Sequence, residues 1–95
     1  MKGLKYDQDK PRTDLLDMDI VEGIAKVLAF GAGKYAENSW QEVENGRERY
    51  AGALLRHYIA LRKGELIDTD SGLPHIYHIA CNTMFINWFD NEANK

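Results

Sequence analysis

Ninety-five residues make one small domain with a thin core, and a net charge of −3 gives no overall basic field for a nucleic-acid backbone. With 44% hydrophobic and 28% charged residues the composition is that of an ordinary globular chain, and no apolar run approaches the roughly 20 residues of a membrane span. The single cysteine, Cys81, excludes an internal disulfide and suits a reducing, cytoplasmic compartment, while the charged start MKGLKYDQDKPR lacks the apolar centre of a signal peptide.

Residues 1–14 read as a polar arm carrying Lys2, Lys5, Lys10 and Arg12, with Asp7 and Asp9 among them. Pro11 pushes Lys10 toward an extended conformation. A first helix is predicted over about 18–33, capped by Asp17 or Asp19. Ile20, Ile24, Val27, Leu28 and Gly31 recur on one face, Glu22 and Lys26 pair on the other, and Gly31 and Gly33 mark the end. In the segment 34–43, Tyr35 and Trp40 lie among Lys34 and Asn38 and either stack on a base or cover the core.

A second helix is predicted over about 44–63, ended by Gly64. Tyr50, Ala53, Leu54, His57, Tyr58 and Leu61 form its apolar face, and Arg49, Arg56 and Lys63 a basic one. Ala51, Gly52 and Ala53 are small enough for another helix to approach closely. ELIDTDSG then reads as a turn, with Asp70 or Ser71 capping a third helix over about 73–91 and Pro74 in its first turn. His75, His78 and Asn82 share one face of that helix, which Phe85 and Phe89 continue; Ile76, Ile79, Ala80, Met84 and Trp88 fill much of the rest. A helix apolar nearly all round needs partners on several sides. The expectation is an all-α fold: a small bundle of about three main helices, completed by oligomerisation, a homodimer or larger.

Two phosphate-binding motifs fail. GAGKYA at 31–36 fits G-x-G-x-x-A but has no βαβ unit around it, and Gly33-Lys34 lacks both the Ser/Thr and the earlier glycine of a Walker A loop. The stretch Arg56–Asn82 is more informative. It holds all three histidines, His57, His75 and His78, together with Asp68 and Asp70. A helical hairpin brings His57 back beside the His75-x-x-His78 pair, with the acidic turn closing one end. Such a cluster either binds a divalent metal or phosphate or consists of core histidines satisfied by hydrogen bonds. Imidazole and carboxylate suit zinc, manganese or cobalt; magnesium leans on Asp68 and Asp70. Arg56, with Lys5, Lys10, Arg12 and Lys34, offers cations for an anion-binding wall or is simply surface charge.

Four blocks in order carry a family resemblance: GLKYDQDKPRTDLL at 3–16, VLAFGAGKYAENSW at 27–40, RYAGALLRHYIALRKGE at 49–65 and DTDSGLPHIYHIACN at 68–82. Together they resemble the N-terminal domain of phage-type dATP/dGTP diphosphohydrolases, with kinship to the small helical MazG-like nucleotide pyrophosphatases. The resemblance implies a single nucleotide-binding domain over residues 1–95, purine deoxynucleoside triphosphate as ligand, hydrolysis to monophosphate and pyrophosphate, a divalent metal cofactor, and a phage protein in the host cytoplasm. It expects neither a nucleic-acid polymer nor a membrane as partner. Matching positions are Lys5, Asp7, Lys10, Pro11, Lys34, Tyr35, Asn38, Trp40, Arg56, His57, Asp70, His75, His78 and Asn82. On this basis His57, Asp70, His75 and His78 are the catalytic candidates. Lys5, Lys10, Arg12, Lys34, Tyr35, Asn38, Trp40, Arg56 and Asn82 are candidates for substrate, and Asp68, Asp70, His75 and His78 for metal. MazG-like enzymes hold metal with paired carboxylates, E-x-x-E and E-x-x-D, where this chain has Arg56-His57 and His75-x-x-His78. That departure keeps open a second function, a non-catalytic binder that sequesters a nucleotide or a cyclic-nucleotide signal, as a phage anti-defence sponge would.

Overall fold

The structure is a computed structural model that describes residue 3 and residues 8–95, so Lys2, Lys5 and Asp7 of the arm lie outside the described residues. Helix α1 spans Met18–Lys34, α2 Gly46–Arg62 and α3 His75–Ala93, with short 3₁₀ turns at Thr13–Leu15 and Ser39–Glu42. Among the described residues the one extended pairing is an isolated bridge between Ile67 and Pro74. The fold is small and all-α, as the helical spacing requires.

Local chemistry sets the helix ends. Asp17 caps α1, its carboxylate accepting from the Asp19 N–H at 3.0 Å. The foreseen glycine stop is not used. Neither Gly31 nor Gly33 takes a positive φ, and the helix runs through both to Lys34, where Tyr35 leaves it with φ −121° and ψ −92°. At its other end α2 closes in a Schellman turn: Gly64, at φ +91°, donates to Leu61 O at 3.0 Å, and Glu65 donates to Ala60 O at 3.0 Å. The expected cap of α3 is also corrected. Pro74 stands at its N-cap and no side chain caps it. Asp70 is drawn to Lys34, and the Ser71 hydroxyl is held by Asp68 and His78 instead.

α2 packs along α3, and α1 lies on another side of α3, so both pack chiefly on α3 rather than on each other. This is how a helix apolar nearly all round is covered. Trp40, Tyr50, Phe85, Trp88 and Phe89 form an aromatic cluster over the C-terminal half of α3; the Trp40 ring stacks on Phe85 at 4.4 Å and meets Trp88 edge-on at 5.2 Å. Trp40 therefore covers the core. Two glycines admit aromatic rings. The Phe89 ring occupies the space of a side chain at Gly46, and the Tyr77 ring does so at Gly23, where an added Cβ would lie 2.5 Å from it. Gly52, expected to face a helix, has only its own helix's Arg56 guanidinium nearby, at 3.4 Å. Tyr58, expected on the apolar face, is exposed beside Arg62, which donates to its hydroxyl at 3.3 Å.

Among the described residues Cys81 is the one fully buried hydrophobic side chain, while Leu55, Ile59 and Ile76 stay exposed. The core is thin, as expected for this length.

Gly23→Ala tests the α1–α3 contact. We expect a loss of about 1–3 kcal/mol in chemical denaturation, because the added methyl must displace the Tyr77 ring. A neutral or stabilising effect would mean that the ring moves aside freely and that helix propensity decides the outcome.

Candidate functional site

Because α1 and α2 meet α3 on different sides, a cleft opens between all three. It is a cavity of about 620 Å³, lined by Phe30 and Lys34 of α1, Tyr35, Asn38 and Trp40 of the connection, Tyr50 and His57 of α2, and His78, Asn82 and Phe85 of α3. The lining is aromatic in part, and the Lys34 ammonium lies 5.8 Å from the Phe30 ring centroid and 5.4 Å from that of Tyr35. Tyr35 is 71% exposed, its ring beside the Lys34 ammonium, whereas the Trp40 ring is engaged by Phe85 and Trp88.

The α2–α3 hairpin gathers the three histidines at its closed end. His57 Nδ1 lies 2.8 Å from His75 Nδ1, and the His57 ring stacks on His78 at 4.4 Å, tilted by 6°. His75 and His78 are buried at 4% and 8% exposure. The turn before α3 is fixed by backbone bonds, Asp68 N–H to Leu73 O and His75 N–H to Leu66 O, both at 2.9 Å. It curls around the Asp68 carboxylate, whose Oδ2 accepts from the Ser71 N–H at 2.9 Å and the Ser71 hydroxyl at 2.8 Å. With its proton on Asp68, the Ser71 oxygen accepts from His78 Nε2–H at 2.7 Å. His78 therefore carries its proton on Nε2. Glu65, placed by the Schellman turn, brings Oε2 to 3.4 Å from His75 Nε2, a buried nitrogen with no hydrogen bond.

One set of groups with metal-ligand geometry stands out among the described residues. Single donor atoms of His57, Asp68 and His75 lie within 4.8 Å of one another. The sequence-derived metal candidates thus separate. Asp68 and His75 fall in this set with His57, His78 is occupied by Ser71, and Asp70 turns outward to accept from Lys34 Nζ at 3.0 Å. The substrate candidates also separate. Lys34, Tyr35, Asn38, Trp40 and Asn82 line the cleft. Arg56 is exposed on α2, Lys10 is exposed, Arg12 pairs with Asp14 at 2.7 Å, and Lys5 lies outside the described residues. Sequence reasoning passed over Glu65 and Ser71. The signal for Glu65 was its position just after Gly64, which a Schellman turn directs back over the helix end.

Burial lowers the pKa of His57, and the neighbouring His78 lowers it further against the pull of Asp68. Burial lowers that of His78 as well, with Asp68 opposing. For Asp68 burial acts upward, but the Ser71 hydrogen bonds outweigh it and bring the carboxyl below its ordinary range. Lys34 is held above the usual lysine range by its hydrogen bond to Asp70.

Comparison with known proteins adds three findings. The profile of a family described as "dATP/dGTP diphosphohydrolase, N-terminal" matches residues 1–95. A protein of Salmonella phage PMBT28 named "dATP/dGTP diphosphohydrolase" is 40% identical over 92 residues, which cover 97% of this chain and 31% of that protein. The chain therefore spans about a third of its relative's length. No solved structure matches significantly.

The depressed imidazoles fix a pH dependence. A histidine whose folded pKa lies below its unfolded value of about 6.5 binds fewer protons when folded, so its stabilisation is complete above that value and lost as pH falls through the folded pKa. With chelator present, we expect the melting temperature to decline as pH drops below about 6.5, and to decline less in His78→Gln. A flat profile between about pH 7 and 5 would show that the imidazoles are not buried against one another.

Proposed function

The chain belongs to the family of dATP/dGTP diphosphohydrolase N-terminal domains, and from that premise we propose that its three-helix cleft binds a purine deoxynucleoside triphosphate for hydrolysis to the monophosphate and pyrophosphate. The observation that carries this reading is the cleft itself. Its volume of about 620 Å³ suits a nucleotide, and its lining combines aromatic side chains with the Lys34 ammonium and the imidazoles of His57 and His78.

In this reading the purine stacks on the exposed Tyr35 ring, while Trp40 closes the wall. Asn82 donates its amide to His78 O at 2.8 Å, which leaves its carbonyl oxygen to accept from an exocyclic amine. Lys34 exchanges Asp70 for a phosphate oxygen; its pairing is half exposed and therefore easily traded. The His57 and His78 imidazoles, which line the cleft, face the phosphate chain, and His78 holds its proton on Nε2. Water attacks the α-phosphorus, the α–β anhydride bond breaks, and pyrophosphate leaves. A divalent metal, were it held by His57, Asp68 and His75, would supply charge neutralisation and an acidified water. The thin core and the exposed Leu55, Ile59 and Ile76 support a homo-oligomeric assembly around this domain.

The second reading is binding without hydrolysis. Histidines standing where MazG-like enzymes have paired carboxylates favour it.

Incubation of the protein with dGTP or dATP and a panel of divalent metals separates the readings. Appearance of dGMP and pyrophosphate supports hydrolysis; nucleotide recovered intact from a tight complex supports sequestration; no binding under any condition contradicts both. Tyr35→Ala should weaken nucleoside and triphosphate alike, by about 1–3 kcal/mol for one stacked base. Lys34→Ala should weaken the triphosphate while sparing the nucleoside. Equal effects on both ligands would place Lys34 away from the phosphates.

A further inference from the structure

We infer that His57, Asp68 and His75 bind one divalent transition-metal ion of the zinc class, with Glu65 as the group that orients His75. The inference deepens the nucleotide reading above, yet the ion can be tested in the absence of any nucleotide.

The donor set fits such an ion on four grounds. First, one atom from each residue already lies within 4.8 Å of the other two, brought together by α2, α3 and the turn between them. Second, His75 is 96% removed from solvent by its 4% exposure, and its Nε2 finds no hydrogen bond, only the Glu65 carboxylate at 3.4 Å. That carboxylate favours a proton on Nε2 and leaves the Nδ1 lone pair directed at His57. This is the relation by which a carboxylate fixes the tautomer of a metal-bound histidine. Third, both Ser71 hydrogen bonds fall on Asp68 Oδ2, so the carboxylate is oriented while Oδ1 has no hydrogen bond from the described residues. Fourth, the neighbouring candidates are otherwise engaged. His78 donates through Nε2 to Ser71, and Asp70 pairs with Lys34.

Two imidazoles and one carboxylate favour zinc, cobalt or manganese over magnesium, which asks for an octahedron of oxygens. Three protein ligands also leave a coordination position for a water or phosphate oxygen, as in catalytic rather than structural zinc sites.

Calorimetry on untagged, chelator-stripped protein tests the assignment, with zinc or magnesium alone as titrant. We expect one zinc per chain and much weaker magnesium. His57→Gln, Asp68→Asn and His75→Gln should each weaken zinc at least tenfold, and Glu65→Gln should weaken it while keeping the stoichiometry. Asp70→Asn should bind zinc like the parent. Cobalt-loaded parent protein, which needs no variant to fold, should show the intense visible bands of a low-coordinate site with nitrogen donors. Absence of zinc binding, unchanged affinity in Asp68→Asn, loss of zinc in Asp70→Asn, or a weak octahedral cobalt spectrum would each overturn the assignment. A thermal-shift titration with dGTP runs alongside, once in chelator and once with magnesium or zinc present. Zinc uptake without any nucleotide response would sink the nucleotide reading and leave this site standing; the reverse would sink this site alone.

Discussion

Two imidazole nitrogens 2.8 Å apart, one on α2 and one on α3, tie the hairpin at its closed end, and much of the structure depends on that contact. Neutral imidazoles at this distance must share one proton between them, so the pair is satisfied only in matched tautomers. Ser71 sets the proton on His78, and the Glu65 carboxylate favours one on His75 Nε2. Each orienting group comes from the turn between the helices, which its own backbone bonds close. The buried polar cluster is thus specified by a loop, and the loop by a left-handed glycine and a Schellman turn.

The helices were legible because their signals are local. Apolar spacing placed all three to within a few residues, and an acidic cap began α1 where Asp17 stands. The gathering of His57, His75 and His78 was legible too, since a hairpin with a short turn leaves few alternatives. What escaped depends on tertiary choice. Asp68 and Asp70 are chemically equal in sequence, but the turn curls one inward against Ser71 and leaves the other to Lys34, thirty-six residues earlier in the chain. Gly31 and Gly33 look like a helix stop, yet a glycine ends a helix only when it takes a left-handed backbone, and here both stay helical. Tyr35 and Trp40 were equivalent as aromatics until the packing of Phe85 and Trp88 claimed one of them.

The cleft follows from the same arrangement. A helix apolar nearly all round draws α1 and α2 to different flanks, and the gap between them becomes the cavity. One face of α3 therefore serves both core and cleft: Phe85 belongs to the aromatic cluster and also lines the cavity, while Asn82 and His78, one and two turns earlier, line it with polar groups. In the phage relative the matching region accounts for about a third of the chain.

The most direct measurement is anomalous diffraction at the zinc edge from crystals grown with zinc and a non-hydrolysable dGTP analogue. We expect one anomalous peak at ligand distance, about 2.0–2.2 Å, from His57, Asp68 and His75, with the purine against Tyr35 and the phosphates directed at the peak. A peak at Asp70, or a nucleotide bound outside the three-helix cleft, would contradict the account.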